Sequence, residues 1–462
     1  MLMEGNHMSK LMKFVHAVVL TGLALTLASC TGESGDGRAV ISLNVPANAN
    51  LLQALREQLP EYETEHGVRV QLIPFTGQEK LYAMMAAGQA PDIFYTNTVV
   101  RDQLAAEGRL LDLNSVAAGD SFVQQIRPEF IQRGTSIDGG WYQFCDWTYT
   151  YAVYFNKTLF DQTHVPYPDS NWTWSKMIDR ARWLTRDLNG DSVTDQYGIF
   201  IPKHFVSAFE RMNGAEFTPN ALLFDLPQES QEALQAYLDL IYQNKVMPEI
   251  AFTQAQGMQV SQMLNTGKVA MVVEAAPNLD FITALKVDWD MAPLPRMGDK
   301  PPLYFRSASG GLSLSSSCQH PHEAWKLMKW LITQSPYNTP NPVLREVDFV
   351  SGWEARYPKL QETHFRQIWE LSERYDGGDT RDFVRYSSWS SNAILEQLSP
   401  KMDLLFAGKL TVAQLVQQSD EINRNVISEL RKILRNENLQ PAFREKINEE
   451  LRLQNVVVGD LE

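Results

Sequence analysis

Between Ala39 and Asn97 the apolar residues switch repeatedly between the period of a strand and that of a helix, and no other feature limits the fold as much. AVISLNV reads as a strand. In NLLQALREQLPEYETEHG, Leu52, Leu55, Leu59 and Tyr62 return every three or four residues, which is one face of a helix, and Gly67 supplies its left-handed stop. VRVQLIPF predicts a second strand, EKLYAMMAAG a second helix ending at Gly88, and DIFYTN a third strand. Strand and helix in alternation predict the α/β class, with a parallel sheet covered by helices. The pattern resumes later. WTWSKMIDRARWLT is helical, GIFI a strand, QEALQAYLDLIYQN and SQMLNTGK helical, VAMVVEA a buried strand and SGGLSLSS another. HPHEAWKLMKWLIT then starts a helix with Pro321 in its first turn, and the last third is mostly helical, with Gly408 closing one helix and Thr411 placed to cap the next. Ligands of such sheets lie beyond the carboxyl ends of the strands, here the loops after Phe75, Tyr95 and Val273.

A chain of 462 residues exceeds what one core usually serves, so two lobes are expected. Its net charge is −14, and without residues 1–29, which hold two lysines and one glutamate, it becomes −15. Such a surface repels phosphate backbones, which argues against a nucleic-acid partner. The 11 Trp and 16 Tyr are enough to line a binding wall as well as a core, because each ring joins an apolar face to a polar tip.

Phe14 to Leu27 is a nearly unbroken apolar run of fourteen residues behind Lys10 and Lys13. That is shorter than the roughly 20 residues of a membrane-spanning helix and fits the core of a secretory signal. Leu27-Ala28-Ser29-Cys30 then matches the lipobox of bacterial lipoproteins, in which the cysteine sulfur takes up diacylglycerol. The expectation is a lipoprotein signal peptide over 1–29, a lipid on Cys30, a glycine-rich tether over 30–38, and an exported protein held to the membrane by that lipid alone. Whether Cys145 and Cys318 pair is open, although two buried thiols fit better.

Seven segments, AAGQAPDIFY, AVYFNKTLF, NWTWSKMIDRARWLT, GKVAMVVE, PLPRM, SGGLSLSSSCQHPHEAWKLMKWL and AGKLTVAQLVQQSDEIN, occur in the order found in a known family. The chain resembles the family 1 extracellular solute-binding proteins, the sugar-binding subunits of bacterial ATP-binding-cassette importers. The resemblance implies a two-lobed periplasmic-binding-protein fold with the ligand in the cleft between lobes joined by hinge crossings. Carried over, one lobe comprises 38–145 and 306–338, the other 146–305 and 339–462. It implies a monomer that takes a mono- or oligosaccharide, delivers it to permease subunits, and needs no cofactor. A non-sugar polar solute such as a glycerol phosphodiester is the alternative ligand.

The same resemblance points to site residues. Asp146, Trp147 and Tyr149 precede YFNK at the first crossing, where the structural alternative is a packed hinge. Thr96 and Asn97 follow the DIFY strand, and Asn97 is favoured because its amide both donates and accepts. Thr76 and Gln78 lie in the loop after Phe75. Relatives carry an aromatic after the strand that reads VAMVVE here; this chain has Glu274-Ala275-Ala276-Pro277-Asn278, leaving Glu274 and Asn278 as hydroxyl partners. Trp389 in YSSWSSN is the candidate replacement for the missing surface, whereas Trp174 at a helix start suggests packing.

In DLNGDSVTDQYG, Asp187, Asn189, Asp191, Val193 and Asp195 take positions 1, 3, 5, 7 and 9 of a calcium loop. Ser192 replaces the required glycine and Gly198 the closing glutamate, so a structural calcium and an Asx-rich turn both remain open. Cys318, His320 and His322 mimic a metal cluster but fit helix entry better. The rival to a binding protein is a secreted enzyme acting on polysaccharide. G-x-S-x-G, H-E-x-x-H and a Walker loop are all missing from the sequence, while a pair of glycosidase carboxylates leaves no sequence mark.

Overall fold

The computed structural model describes residues 37–47, 49–145, 148–216, 221–250, 257–300, 310–334, 341–374 and 387–456. The chain divides into two compact units, Met1–Tyr95 with Leu314–Lys329, and Thr96–Ser313 with Trp330–Glu462. Residues 96–145, expected in the first lobe, therefore group with the second unit. The reason lies in their partners there: Ala106 O accepts from Gln440 N at 2.9 Å, Arg127 reaches Leu344 O and Glu373, and Thr96 Oγ1 lies 2.8 Å from Ser313 Oγ.

In the first unit, β1 (Ala39–Pro46) pairs in parallel with β2 (Val68–Phe75) over its whole length, from Ala39 against Val68 to Pro46 against Phe75. Its other edge takes β3 (Ile93–Thr96), again in parallel, with Leu43 opposite Ile93. The helix Ala49–His66 buries the predicted stripe of Leu52, Leu55, Leu59 and Tyr62, each worth about 1.5–3 kcal/mol when taken out of water. Gly67 and Gly88 end their helices at φ of 66° and 70°. Asp92 locks β1 to the turn before β3: its Oδ2 accepts from Ser42 N at 2.8 Å and Ser42 Oγ at 2.7 Å.

The second unit contains β4 (Phe144–Cys145), β5 (Thr150–Asn156), β6 (Met271–Ala276), β7 (Trp289–Pro293) and most of β8 (Gly311–Leu314). Here the expected parallel sheet is corrected. β5 is central and buried along its length, and both β6 and β7 run antiparallel to it. Alternation in sequence fixes strand direction only between neighbouring strands; β6 and β7 meet β5 from more than a hundred residues away, and long connections permit either direction. GIFI is also not a full strand. It meets β6 through one parallel bridge, Phe200 to Val272, with Tyr197 just before it bridging Val269, and then Pro202 follows without an N–H for the ladder. β4 and β8 pair antiparallel, and a Cβ on Gly311 would meet Phe144 O at 2.2 Å, so only glycine admits that approach.

Helix boundaries in the second unit follow local chemistry. Thr173 Oγ1 accepts from Lys176 N and caps the helix Trp174–Leu184, whose Trp174 packs at 5.0 Å from Phe209. Gly408 has φ 66° after the helix Ser388–Phe406, and Thr411 with Gln414 forms a capping box. Cys145 is a buried thiol and Cys318 a half-buried one, the two not joined in a disulfide, and the latter is pushed up to about 12 by burial and by Asp92. Among the described residues no helix is long and apolar enough to cross a membrane. The signal segment, Cys30 and most of the 30–38 tether lie outside the described residues.

Candidate functional site

The antiparallel register of β5 and β6 brings the start of one beside the end of the other, with Thr150 opposite Ala276 and Ala152 opposite Glu274. Tyr149, half-buried, meets Tyr151 edge-on at 5.6 Å, and Tyr151 meets Phe205 at 4.8 Å, so Tyr149 is the open end of an edge-to-face stack whose other two rings are buried. Side chains alternate across a strand, which places Tyr149 and Tyr151 on one face and Glu274, opposite Ala152, on the other. The structure thus gathers Tyr149, Glu274 and Asn278 at one end of the sheet without aiming them at one point.

Glu274 is half-buried, and burial raises its carboxyl above the usual carboxylate range, opposed by bonds from Ala275 N at 2.8 Å and Asn278 Nδ2 at 3.3 Å. Asn278 also caps the helix Leu279–Ala284, its Oδ1 accepting from Phe281 N at 3.2 Å. Both are therefore positioned by local backbone, and the carboxylate keeps lone pairs for a ligand hydroxyl.

Asn97 is exposed and caps the helix Thr98–Ala106 through Oδ1, which accepts from Val100 N at 2.9 Å. Its amide nitrogen is the group left to face a ligand. Thr96 is 2 % exposed and occupied by Gln143 Nε2 at 2.8 Å and Ser313 Oγ, which makes it a support. In the first unit, Thr76 and Gln78 are both exposed around Gly77, whose φ of 143° turns the chain from β2 into the helix Gln78–Ala86. Asp146 and Trp147 lie outside the described residues.

Trp389 is corrected from a ligand surface to a core residue: it is 4 % exposed and directs its ring at Phe443, 5.8 Å away. Around it the fold assembles a polar cluster that sequence reasoning missed. Asp102, 6 % exposed, pairs with Arg101 at 2.7 Å, accepts from Ser136 Oγ at 2.6 Å, and accepts again from Ser388 Oγ. Arg101 in turn donates to Arg133 O. No motif could have revealed it, since Ser388 stands 286 residues from Asp102.

The DLNGDSVTDQYG loop is exposed and closes upon itself. Asp187 accepts from Gly190 N at 2.7 Å and Ser192 N at 2.8 Å, Asn189 from Asp191 N at 2.8 Å, Asp191 from Val193 N at 2.8 Å, and Asp195 from Leu188 N at 2.9 Å. These bonds, led by that from Ser192, hold the Asp187 carboxyl below its ordinary value. Among the described residues no three His, Cys, Asp or Glu side chains converge to hold a metal ion, Cys318 with its two histidines included. The donor set as folded is that of an Asx-rich turn.

The profile of bacterial extracellular solute-binding proteins matches residues 48–336, more than half of the chain. The chain belongs to the bacterial extracellular solute-binding protein family. No curated protein sequence matches. Among solved structures the fold is similar to an ABC substrate-binding protein from Listeria monocytogenes in complex with cycloalternan (21% identity, TM-score 0.66, 83% of this chain and 98% of that one). It is similar also to the maltose/maltodextrin-binding domain from Bdellovibrio bacteriovorus bound to maltotriose (20% identity, TM-score 0.64, 84% and 100%). A third is an ABC transporter solute-binding protein from Thermotoga lettingae bound with α-D-tagatose (19% identity, TM-score 0.63, 84% and 99%). The solute-binding fold is thus established at identities too low to carry a ligand across. For a solute-binding protein, the half-buried ring of Tyr149, backed by buried Tyr151 and Phe205, is an expected kind of aromatic contact.

Proposed function

We propose that this solute-binding protein captures a carbohydrate, a mono- or oligosaccharide or related polyol, outside the cytoplasm and delivers it unchanged to the permease of an ATP-binding-cassette importer. The observation that carries the reading is the half-buried ring of Tyr149, backed by buried Tyr151 and Phe205, at the end of the sheet that also holds the Glu274–Asn278 turn. A pyranose offers a C–H face to such a ring and hydroxyls to a carboxylate and amides. Support comes from the saccharides held by the three similar structures. Asp146 and Trp147, next to Tyr149 in the chain, and Asn97 complete the proposed contacts of the second unit, and Thr76 and Gln78 are proposed separately as hydroxyl partners in the first. Cys30 is proposed as the lipid attachment point that keeps a monomeric protein beside its importer, and no cofactor takes part.

Thermal melting with a panel of mono- and oligosaccharides tests the reading. A ligand at 100 times its dissociation constant stabilises the folded state by about 2.7 kcal/mol, a clear shift in melting temperature. Glycerol phosphodiesters belong in the same panel. A shift with one of them and none with any saccharide would overturn the ligand class, and release of an altered sugar would make the protein an enzyme. Tyr149→Ala and Trp147→Ala should each weaken binding while leaving the unliganded melt unchanged. Mass spectrometry of membrane-extracted protein should find acyl chains on Cys30 and lose them in Cys30→Ala.

A further inference from the structure

Trp183 is the most exposed large aromatic of the described chain, with 75% of its surface open to solvent. It sits on the helix Trp174–Leu184 in line with Lys176, Asp179 and Arg180, at spacings of three, one and three that put all four on one face. Across from that face runs the turn His164–Pro166, and the two border a shallow, solvent-open depression of about 510 Å³. A second hollow of about 550 Å³, bordered by Asp179, Arg182 and Trp183, adjoins it. Trp183 borders both of these open depressions.

The walls are preformed. Arg180 Nε donates to Pro166 O at 3.0 Å, its guanidinium lies 5.8 Å from the ring of buried Trp172, and it pairs with Asp169 at 3.6 Å. That arm fastens the turn to the helix. Beside the indole, Asp179 holds Arg182 at 3.1 Å, and Arg182 is anchored at its far end by Asn244 Oδ1 at 2.6 Å. A planar carboxylate and a planar guanidinium are thus held at the edge of an open indole. Lys176 is exposed and makes no ion pair among the described residues.

We infer that this groove is a second carbohydrate site, in which a pyranose stacks on Trp183 and presents its hydroxyls to Asp179, Arg182 and Lys176. The chemistry selects a saccharide over an apolar peptide, because a charged rim surrounds a single flat ring and only Val165 and Pro166 add apolar wall. Ordering costs are reduced where Arg180 already fastens the turn to the helix by the bonds above. The inference goes beyond the cargo site at Tyr149 and does not depend on it.

The full chain labelled with 5-fluorotryptophan gives one fluorine resonance for each of its 11 tryptophans, and Trp183→Phe assigns that of Trp183. The probes are maltotriose, chitotriose and trigalacturonate. At least one should shift the Trp183 resonance saturably, with a dissociation constant of about 1–10 mM, as suits one open stacking platform. Lys176→Ala should weaken that binding several-fold without moving the melting temperature. The proposal falls if the Trp183 resonance stays fixed with all three probes up to about 50 mM, well past that range. It falls equally if only anionic lipid vesicles move it. Shifts confined to other tryptophans would leave the cargo reading standing and remove this one.

Discussion

Asp102 and Asp187 each collect several hydrogen-bond donors, yet by opposite means. Asp102 is 6 % exposed and, besides its chain neighbour Arg101, draws its partners from Ser136 and Ser388, which only the folded chain brings to it. Asp187 stands in solvent and draws every partner from the next five residues. A carboxylate in water needs no help from the fold, so a short run of Asp, Asn and Gly can organise it locally. A buried one must be paired and fully bonded, because an ion taken out of water costs several kcal/mol unless its charge and lone pairs are met. One region therefore reports local chemistry, and the other reports tertiary agreement among three segments.

The contrast can be broken most sharply at Asp102. Asp102→Ala leaves the Arg101 guanidinium buried without its counter-charge and should cost about 3–5 kcal/mol, read as a large drop in melting temperature. A change near zero would mean that the cluster relaxes into water. The same region should also be sensitive to pH through Glu450. That carboxyl accepts from Ser387 Oγ at 3.4 Å, and burial, helped by the charge of Asp102, raises it from an ordinary 4.5 to about 7. An acid kept protonated by its surroundings adds stability below pH 4.5 and loses it as pH rises through 7. Glu450→Gln should therefore flatten the fall in melting temperature between pH 5 and 8, and at pH 8 exceed the parent by about 2–3 kcal/mol. Unchanged pH dependence would place Glu450 in water.

The exposed loop should respond far less. Ser192 holds φ of 68°, a conformation that suits glycine, so Ser192→Gly should stabilise by up to about 1 kcal/mol in thermal melts. Smallest of all is the expected response to chelator. With its oxygens bonded to its own amides, the loop needs no ion to hold its shape, and treatment with a calcium chelator should move the melting temperature by less than about 1 °C. A loss of several degrees would restore the calcium reading of Asp187, Asn189, Asp191, Val193 and Asp195.

The first unit was the more legible. β1, β2 and β3 follow one another with a single helix between each pair, so the pattern of periods contains both the elements and their parallel pairing. The β5-centred sheet was legible as elements only, because β6 pairs with β5 from the far side of at least five α-helices and its direction has no local signature. Among the site residues, Tyr149, Asn97, Glu274 and Asn278 stand at strand ends and helix starts, places that sequence marks through turn and cap residues. Trp389 looked equally suitable in sequence; Phe443, 54 positions later, decides that it is core.

By itself the sequence determined the class of fold, the caps and stops of its helices, and the self-contained Asp187 loop, since each of these depends on residues a few positions apart. Only the tertiary structure decided the antiparallel sheet, the burial of Trp389, the cluster around Asp102 and the openness of Trp183. Those depend on which distant surfaces exclude water from one another, and burial is a property of the assembled chain that no short window of residues contains.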